Sequence, residues 1–167
     1  MRYTLVKKIL FEIHAGIFYF YCILAEFTLH QEYEKNYYLS VIYGIGIDVV
    51  HVPRLKNVVE RWGNKFLRRV FTDDEISYSF RKKDAYPSLA ARFAAKEAFI
   101  KAIGAEIAVS FTDIIVTTTG TGKPSLMFRG RALIHVSDRN ISSSHLSLSH
   151  DHEYAMAMVV LEQSPSR

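Results

Sequence analysis

Arg92-Phe93-Ala94-Ala95-Lys96-Glu97-Ala98-Phe99-Ile100-Lys101-Ala102-Ile103-Gly104 is the stretch on which the reading of this chain turns. It predicts a helix: alanine is frequent, no proline interrupts it, and Gly104 stands where a helix ends. At about 100° per residue, Glu97 and Lys101 stack one turn apart on one face, and Arg92 and Lys96 stack on a neighbouring one. Ala91, Ala94, Ala95, Ala98 and Ala102 keep the helix thin, so another backbone can approach it closely. One carboxylate among three cations on such a helix suits a metal-bound polyphosphate. The same residues would equally make a solvated face with a Glu97–Lys101 pair, so the surrounding chain has to decide.

Composition narrows the choice. The 167 residues are about one domain's worth, and 49% hydrophobic with 23% charged residues is ordinary for a globular protein. A net charge of +4 and a pI near 9.1 permit an anionic partner without requiring nucleic acid. Cys22 is the only cysteine, which excludes an intrachain disulfide and a thiolate metal site and fits a reducing, cytoplasmic setting.

Residues 1–40 differ from the rest: they hold 10 of the 22 aromatic residues, with four basic and four acidic side chains, so the whole +4 lies in 41–167. Ile9–Leu29 is long and mostly apolar and follows Lys7-Lys8, which invites a signal-peptide or membrane-anchor reading. Glu12, His14 and Glu26 interrupt it, and no small-residue cleavage pattern follows. Each acid near a bilayer centre would cost roughly 2.5–3.5 kcal/mol. The segment reads as an amphipathic or poorly packed extension, with an anchor as the alternative; a start assigned too far upstream would also produce it.

The domain over 41–167 opens at Val41-Ile42-Tyr43-Gly44-Ile45-Gly46-Ile47-Asp48-Val49-Val50, a β-branched run with period two. Tyr43, Ile45, Ile47 and Val49 are expected on one face, and Gly44, Gly46 and Asp48 on the other. Two glycines leave an open track that ends at a carboxylate; they would also admit a crossing helix, with Asp48 merely capping a turn. Pro53 opens a helix with an apolar stripe of Leu55, Val58, Val59, Trp62 and Phe66, and with Arg54, Arg61, Lys65 and Arg68 opposite. Thr72 and Glu75 have capping-box spacing for a helix running to about Lys82. Lys83–Pro87 reads as a turn, and Ser88 precedes the central helix. After Gly104 the pattern becomes β: Phe111–Thr119, a tight turn over Gly120–Pro124, and Ser125–Phe128. A short helix over Gly130–Asn140 and an alternating strand, His145–His150, follow. Tyr154–Leu161 is apolar on both faces and reads as a buried central strand. The order gives an α+β fold with a mainly antiparallel sheet packed against the long central helix.

Three local patterns fail as sites. Ser147, Ser149, His150 and Asp151 lack a nucleophile elbow and alternate across a strand. His150 and His152 have no third ligand at zinc spacing, so a polar turn is expected there. Gly120–Pro124 lacks the spacing of a phosphate loop and joins two strands.

The joint pattern is more specific than its parts. Gly44-Ile45-Gly46-Ile47-Asp48, then Arg92-Phe93-Ala94-Ala95-Lys96-Glu97-Ala98 with Lys101, then Gly122-Lys123-Pro124, then Ser147-Leu148-Ser149-His150 occur in this order. The chain thereby resembles the holo-[acyl-carrier-protein] synthase family, the trimeric class of 4′-phosphopantetheinyl transferases, over about Val41–Glu162. The resemblance implies that family's fold and the transfer of 4′-phosphopantetheine from coenzyme A to a serine of acyl carrier protein. Adenosine 3′,5′-bisphosphate would be released, with Mg²⁺ as cofactor, in support of fatty acid biosynthesis. It implies Asp48 and Glu97 as catalytic metal ligands; Arg92, Lys96 and Lys101 as phosphate contacts of coenzyme A, with His145 a further one; and Glu97 as the favoured proton acceptor. It also implies a homotrimer with sites at subunit interfaces, and Arg54, Arg61 and Arg68 as the face that meets the carrier's acidic helix. Residues 1–40 and the region between Gly104 and Phe111 depart from the pattern. Two alternatives stand beside this reading. A transferase for peptide or polyketide carriers usually has about twice this length, and a non-catalytic module binding an acidic partner needs no paired carboxylates.

Overall fold

The computed structural model describes residues 41–104, 107–120 and 122–164; the expectations for Ile9–Leu29 and the rest of 1–40 lie outside the described residues. The elements run β1 (Val41–His51), α1 (Val52–Trp62), α2 (Asn64–Val70), α3 (Asp73–Phe80), α4 (Tyr86–Ile103), a 3-10 turn (Phe111–Asp113), β2 (Ile114–Thr118), β3 (Pro124–Phe128), α5 (Gly130–Asp138), β4 (Ile141–His150) and β5 (Tyr154–Gln163). Among the described residues, β1, β5 and β4 form one sheet and β2 and β3 a second, with every pairing antiparallel. This is the expected α+β architecture.

Helix α4 is the axis of the fold. Leu89, Ala90, Ala94, Ala95, Ala98 and Phe99 are fully buried, as a helix covered on most sides must be. It begins at Tyr86, three residues before the expected start after Ser88, so Tyr86, Pro87 and Ser88 belong to the helix and not to the segment before it. Pro87 lies in the first turn, where no intrahelical N–H is needed, and the Asp84 carboxylate accepts from the Tyr86 N–H at 3.0 Å. Gly104 terminates it at φ 110°, a backbone angle that favours glycine.

The two glycines of β1 face α4. A methyl group at Gly46 would lie 2.7 Å from the Ala102 nitrogen and overlap the Ala98 carbonyl oxygen, and one at Gly44 would overlap the Ala102 carbonyl. Strand and helix backbones therefore touch directly, across glycine on one side and alanine on the other. The crossing-helix reading of the glycines is right, and it is compatible with a site, because the same contact brings Asp48 to the helix. Ile45, Ile47 and Val49 point away from α4, as expected. Tyr43 does not join them: a register shift between Ile42 and Gly44 turns it inward, where its hydroxyl accepts from Arg139 Nε at 3.0 Å.

The helix expected from Pro53 onward is two helices. Gly63, at φ 52° and ψ −136°, breaks it, and the chain restarts as α2. The apolar stripe is divided accordingly, with Leu55 and Val59 buried from α1 and Leu67 and Val70 from α2. Trp62 falls at the break and is 52% exposed, contrary to its expected place in the stripe. The capping box at α3 is present, with Thr72 Oγ1 accepting from Glu75 N and Glu75 Oε2 accepting from Thr72 N.

Strand β5 is central, but only one of its faces is covered. Ala155, Ala157, Val159 and Leu161 are fully buried, whereas Tyr154, Met156 and Met158 are 41–48% exposed on the other side. Strand β4 starts at Ile141, four residues earlier than expected, and β2 starts only after the 3-10 turn.

Candidate active site

Asp48 lies on the α4-facing side of the edge strand β1, two residues beyond Gly46. The close strand–helix approach places it beside Lys101: Nζ donates to Asp48 Oδ1 at 2.8 Å and to the Ile47 carbonyl at 3.0 Å. The Asp48 side chain is mostly covered at 17% exposure, whereas that of Lys101 is 49% exposed, so the cation is the movable partner. Glu97 is one helical turn before Lys101 on the same face. Burial raises its proton affinity above the usual carboxylate range, the negative charge of Asp48 raises it further, and Lys101 opposes both. Asp48 and Glu97 together line a cleft of about 490 Å³, with Arg54, Phe66, Phe93 and Tyr154 among its walls.

This donor set is two carboxylates from different elements, open to solvent on one side. Among the described residues there is no group of three or more histidine, cysteine, aspartate or glutamate side chains able to hold a metal. That is unfavourable for zinc, which prefers three or four protein ligands. It fits Mg²⁺, which commonly takes one or two carboxylates and completes its shell with phosphate oxygens and water.

Arg92 faces elsewhere. Five residues separate it from Glu97, about 140° around the helix. Its Nη1 donates to Ser88 Oγ at 2.8 Å and to the Ser88 carbonyl at 3.2 Å, and its guanidinium sits 4.2 Å from the centre of the Tyr78 ring. Its Nε is buried with no hydrogen-bond partner. Arg92 lines a second cleft, of about 330 Å³, between α3, α4 and β2, together with Tyr78, Arg81, Thr117 and Thr118. Asp74 and Glu75 line it as well, and a hydrogen bond with Thr118, then the charges of Lys82 and Arg92, hold the Tyr78 hydroxyl below its usual range against its burial.

Lys96 corrects the expectation that it contacts phosphate. It is fully buried and donates to Glu75 Oε2 at 2.8 Å, the Val70 carbonyl at 2.9 Å and the Phe111 carbonyl at 3.0 Å. An ammonium group has three N–H donors, so none is left for a ligand. Burial lowers its pKa and Glu75 opposes that shift.

His145 is on β4, in register with Val160 of β5, which pairs in turn with Ile45 of β1. All three side chains therefore lie on the sheet face opposite α4. His145 Nε2 lies 3.4 Å from Glu162 Oε2, and its side chain is 53% exposed. Within one chain it is on the other side of the sheet from Asp48 and Glu97. The three arginines do not form one row, because Gly63 separates Arg54 and Arg61 on α1 from Arg68 on α2. Arg54 lines the carboxylate cleft, and Arg61 stacks on Trp62 at 5.4 Å. Sequence reasoning missed Tyr78, Thr117 and Thr118, and saw in Glu75 only a cap; nothing local signals that Lys96, 21 residues away, needs it.

Residues 44–159 match the 4′-phosphopantetheinyl transferase superfamily. The chain is 43% identical over 124 residues to the holo-[acyl-carrier-protein] synthase of Halothermothrix orenii, covering 74% of this chain and 99% of that protein. Its fold is similar to the crystal structure of holo-[acyl-carrier-protein] synthase from Neisseria meningitidis, with a TM-score of 0.68 and 34% identity over 74% of this chain and all of the other. It is also similar to the Helicobacter pylori holo-[acyl-carrier-protein] synthase in complex with coenzyme A, with a TM-score of 0.62 and 34% identity over 70% of this chain and 98% of that one.

Proposed function

The chain belongs to the 4′-phosphopantetheinyl transferase superfamily, and we propose that it is a holo-[acyl-carrier-protein] synthase. It transfers 4′-phosphopantetheine from coenzyme A to a serine of apo-acyl carrier protein, yielding the holo form and adenosine 3′,5′-bisphosphate, for fatty acid biosynthesis in the cytoplasm. The observation that carries this reading is the meeting of Asp48 from β1 and Glu97 from α4 at one cleft, with Lys101 between strand and helix.

The reaction breaks one phosphorus–oxygen bond and forms another. The carrier serine oxygen attacks the phosphorus that bears pantetheine, and the leaving oxygen departs with adenosine 3′,5′-bisphosphate. Asp48 and Glu97 would hold Mg²⁺, which neutralises the diphosphate and offsets charge on the entering and leaving oxygens. Lys101, exposed and anchored only at its ammonium, is able to swing from Asp48 onto a phosphate oxygen. A carboxylate, Glu97 in preference, would take the serine proton directly or through water. Arg92, with an unpartnered buried Nε, fits the phosphates at the nucleotide end of coenzyme A. Lys96 has no direct part.

Arg92 and His145 do not meet the carboxylates within one chain, and a homotrimer resolves this. The face formed by Ile45, Ile47, Val49, Met156 and Met158 is apolar and 41–55% exposed in the isolated chain, which supports burial against further copies. Sites at such interfaces combine carboxylates of one copy with cations of another. Arg54 beside the carboxylates, with Arg61 and Arg68 beyond it, would draw in the acidic carrier. Among the described residues no helix is long and apolar enough to cross a membrane.

Intact-mass spectrometry of apo-acyl carrier protein incubated with the full chain, coenzyme A and Mg²⁺ tests the assignment. The carrier should gain one phosphopantetheine, and a chelator should abolish the gain. An unmodified carrier would leave the non-catalytic binding reading in its place, and modification only of peptide or polyketide carriers would change the substrate class.

A further inference from the structure

The Lys96–Glu75 pair is buried in the core, and burying an ion pair is seldom the most stable choice there. Its connections suggest another use. Glu75 Oε2 binds Lys96 Nζ at 2.8 Å and the Thr72 N–H at 2.8 Å, which fixes the start of α3. Glu75 Oε1 accepts from the Val116 N–H at 2.9 Å, which fixes β2. Lys96 itself belongs to α4 and also holds the end of α2 through the Val70 carbonyl. Helix α3, strand β2 and helix α4 are the three walls of the Arg92 cleft, and Glu75 and Val116 line it. Tyr78 stands one turn after Glu75, Arg92 one turn before Lys96, and Thr117 and Thr118 directly follow Val116. Every wall of that cleft is thus pinned to one carboxylate–ammonium contact.

We infer that Lys96 and Glu75 are positioning residues for the nucleotide end of coenzyme A, setting the spacing between Arg92, Tyr78 and Thr118 while touching no substrate. The inference rests on the reading that the Arg92 cleft takes that end of the donor. It separates the roles of two clefts: the pair controls affinity for coenzyme A, while carrier docking beside Arg54 is independent of it.

Steady-state kinetics of full-length Lys96→Met and Arg92→Met with Mg²⁺, varying coenzyme A and carrier in turn, test this. Lys96→Met should raise the KM for coenzyme A about tenfold, with the carrier KM within about twofold of wild type and kcat retained at saturating donor. Lys96→Met should also lower the melting temperature, because it leaves Glu75 buried without its cation. A merely structural role would move both KM values together or neither, and either result overturns the inference. Arg92→Met separates the two layers. If it leaves the coenzyme A KM unchanged, the reading of the cleft fails; if it raises that KM while folded Lys96→Met does not, only the positioning role fails. Should Lys96→Met not fold, amide hydrogen exchange of the unmodified chain decides. Adenosine 3′,5′-bisphosphate should slow exchange at the Val116 N–H held by Glu75, and unchanged exchange there overturns the inference.

Discussion

Lys101 Nζ lies 2.8 Å from Asp48 Oδ1, an ion pair between helix α4 and strand β1 at the mouth of the carboxylate cleft. The pair stands in competition with a metal, because the ammonium neutralises one of the two ligands. Removing it in Lys101→Met should tighten Mg²⁺ binding to the free protein by up to about fivefold, since half-exposed pairs are worth no more than about 1 kcal/mol. The same change should raise the KM for coenzyme A, whose phosphate loses a cation. Calorimetric titration with Mg²⁺ and donor kinetics check both halves; weaker metal binding would show that Lys101 supports the metal.

The glycines of β1 are required by packing before any ligand arrives. Gly46→Ala puts a methyl group against the backbone of Ala98 and Ala102, atoms that move only if strand and helix separate. The expected loss is roughly 1–3 kcal/mol or more, as for overpacked cores. Denaturant unfolding measures it. Wild-type stability would mean that β1 and α4 are farther apart than the structure has them.

Such contacts also explain what the sequence could disclose. The period of β1, the alanine-rich body of α4 and the capping box at Thr72 and Glu75 are local signals, written within a few residues. That Asp48 and Glu97 come together at one cleft was legible because their motifs are local as well, and the pairing of strand with helix follows from glycine meeting alanine. The outward turn of Trp62 depends on φ at Gly63, which any helical pattern passes over. The burial of Lys96 depends on acceptors from Val70, Glu75 and Phe111, three separate segments, so a lysine on a helix next to a glutamate read as a ligand. Likewise, both faces of β5 are mostly apolar over Tyr154–Leu161, so which of them is covered depends on what packs against it.

Glu97 gives a pH dependence with a definite sign. Its folded-state pKa is raised by burial and then by Asp48, so the folded chain holds the proton more tightly than the unfolded chain. Its contribution to stability is therefore fully present at low pH and is lost as pH rises from the ordinary carboxylate range through the raised value. In the metal-free protein, Glu97→Gln should raise the melting temperature near about pH 7 and change it little at acid pH. Equal effects at both pH values would show that burial and Asp48 do not raise the Glu97 pKa.

The exposed apolar face predicts self-association. Met158 lies in register between Ile47 and Ser147, on the side of the sheet away from α4. Met158→Asp should leave the fold intact by circular dichroism and shift the sedimentation mass from that of the proposed trimer to that of a monomer, with transfer activity lost alongside. An unchanged mass would remove this face from the assembly.

Single-turnover transfer by Asp48→Asn and Glu97→Gln at saturating Mg²⁺ and coenzyme A, read by intact mass of the carrier, tests whether the two carboxylates carry the reaction. Each variant should fold and transfer at least about a hundredfold more slowly than wild type, a loss of roughly 2.7 kcal/mol in transition-state stabilisation. Conversion at near wild-type rates by both variants would contradict this, because the two carboxylates would then not be the site of transfer.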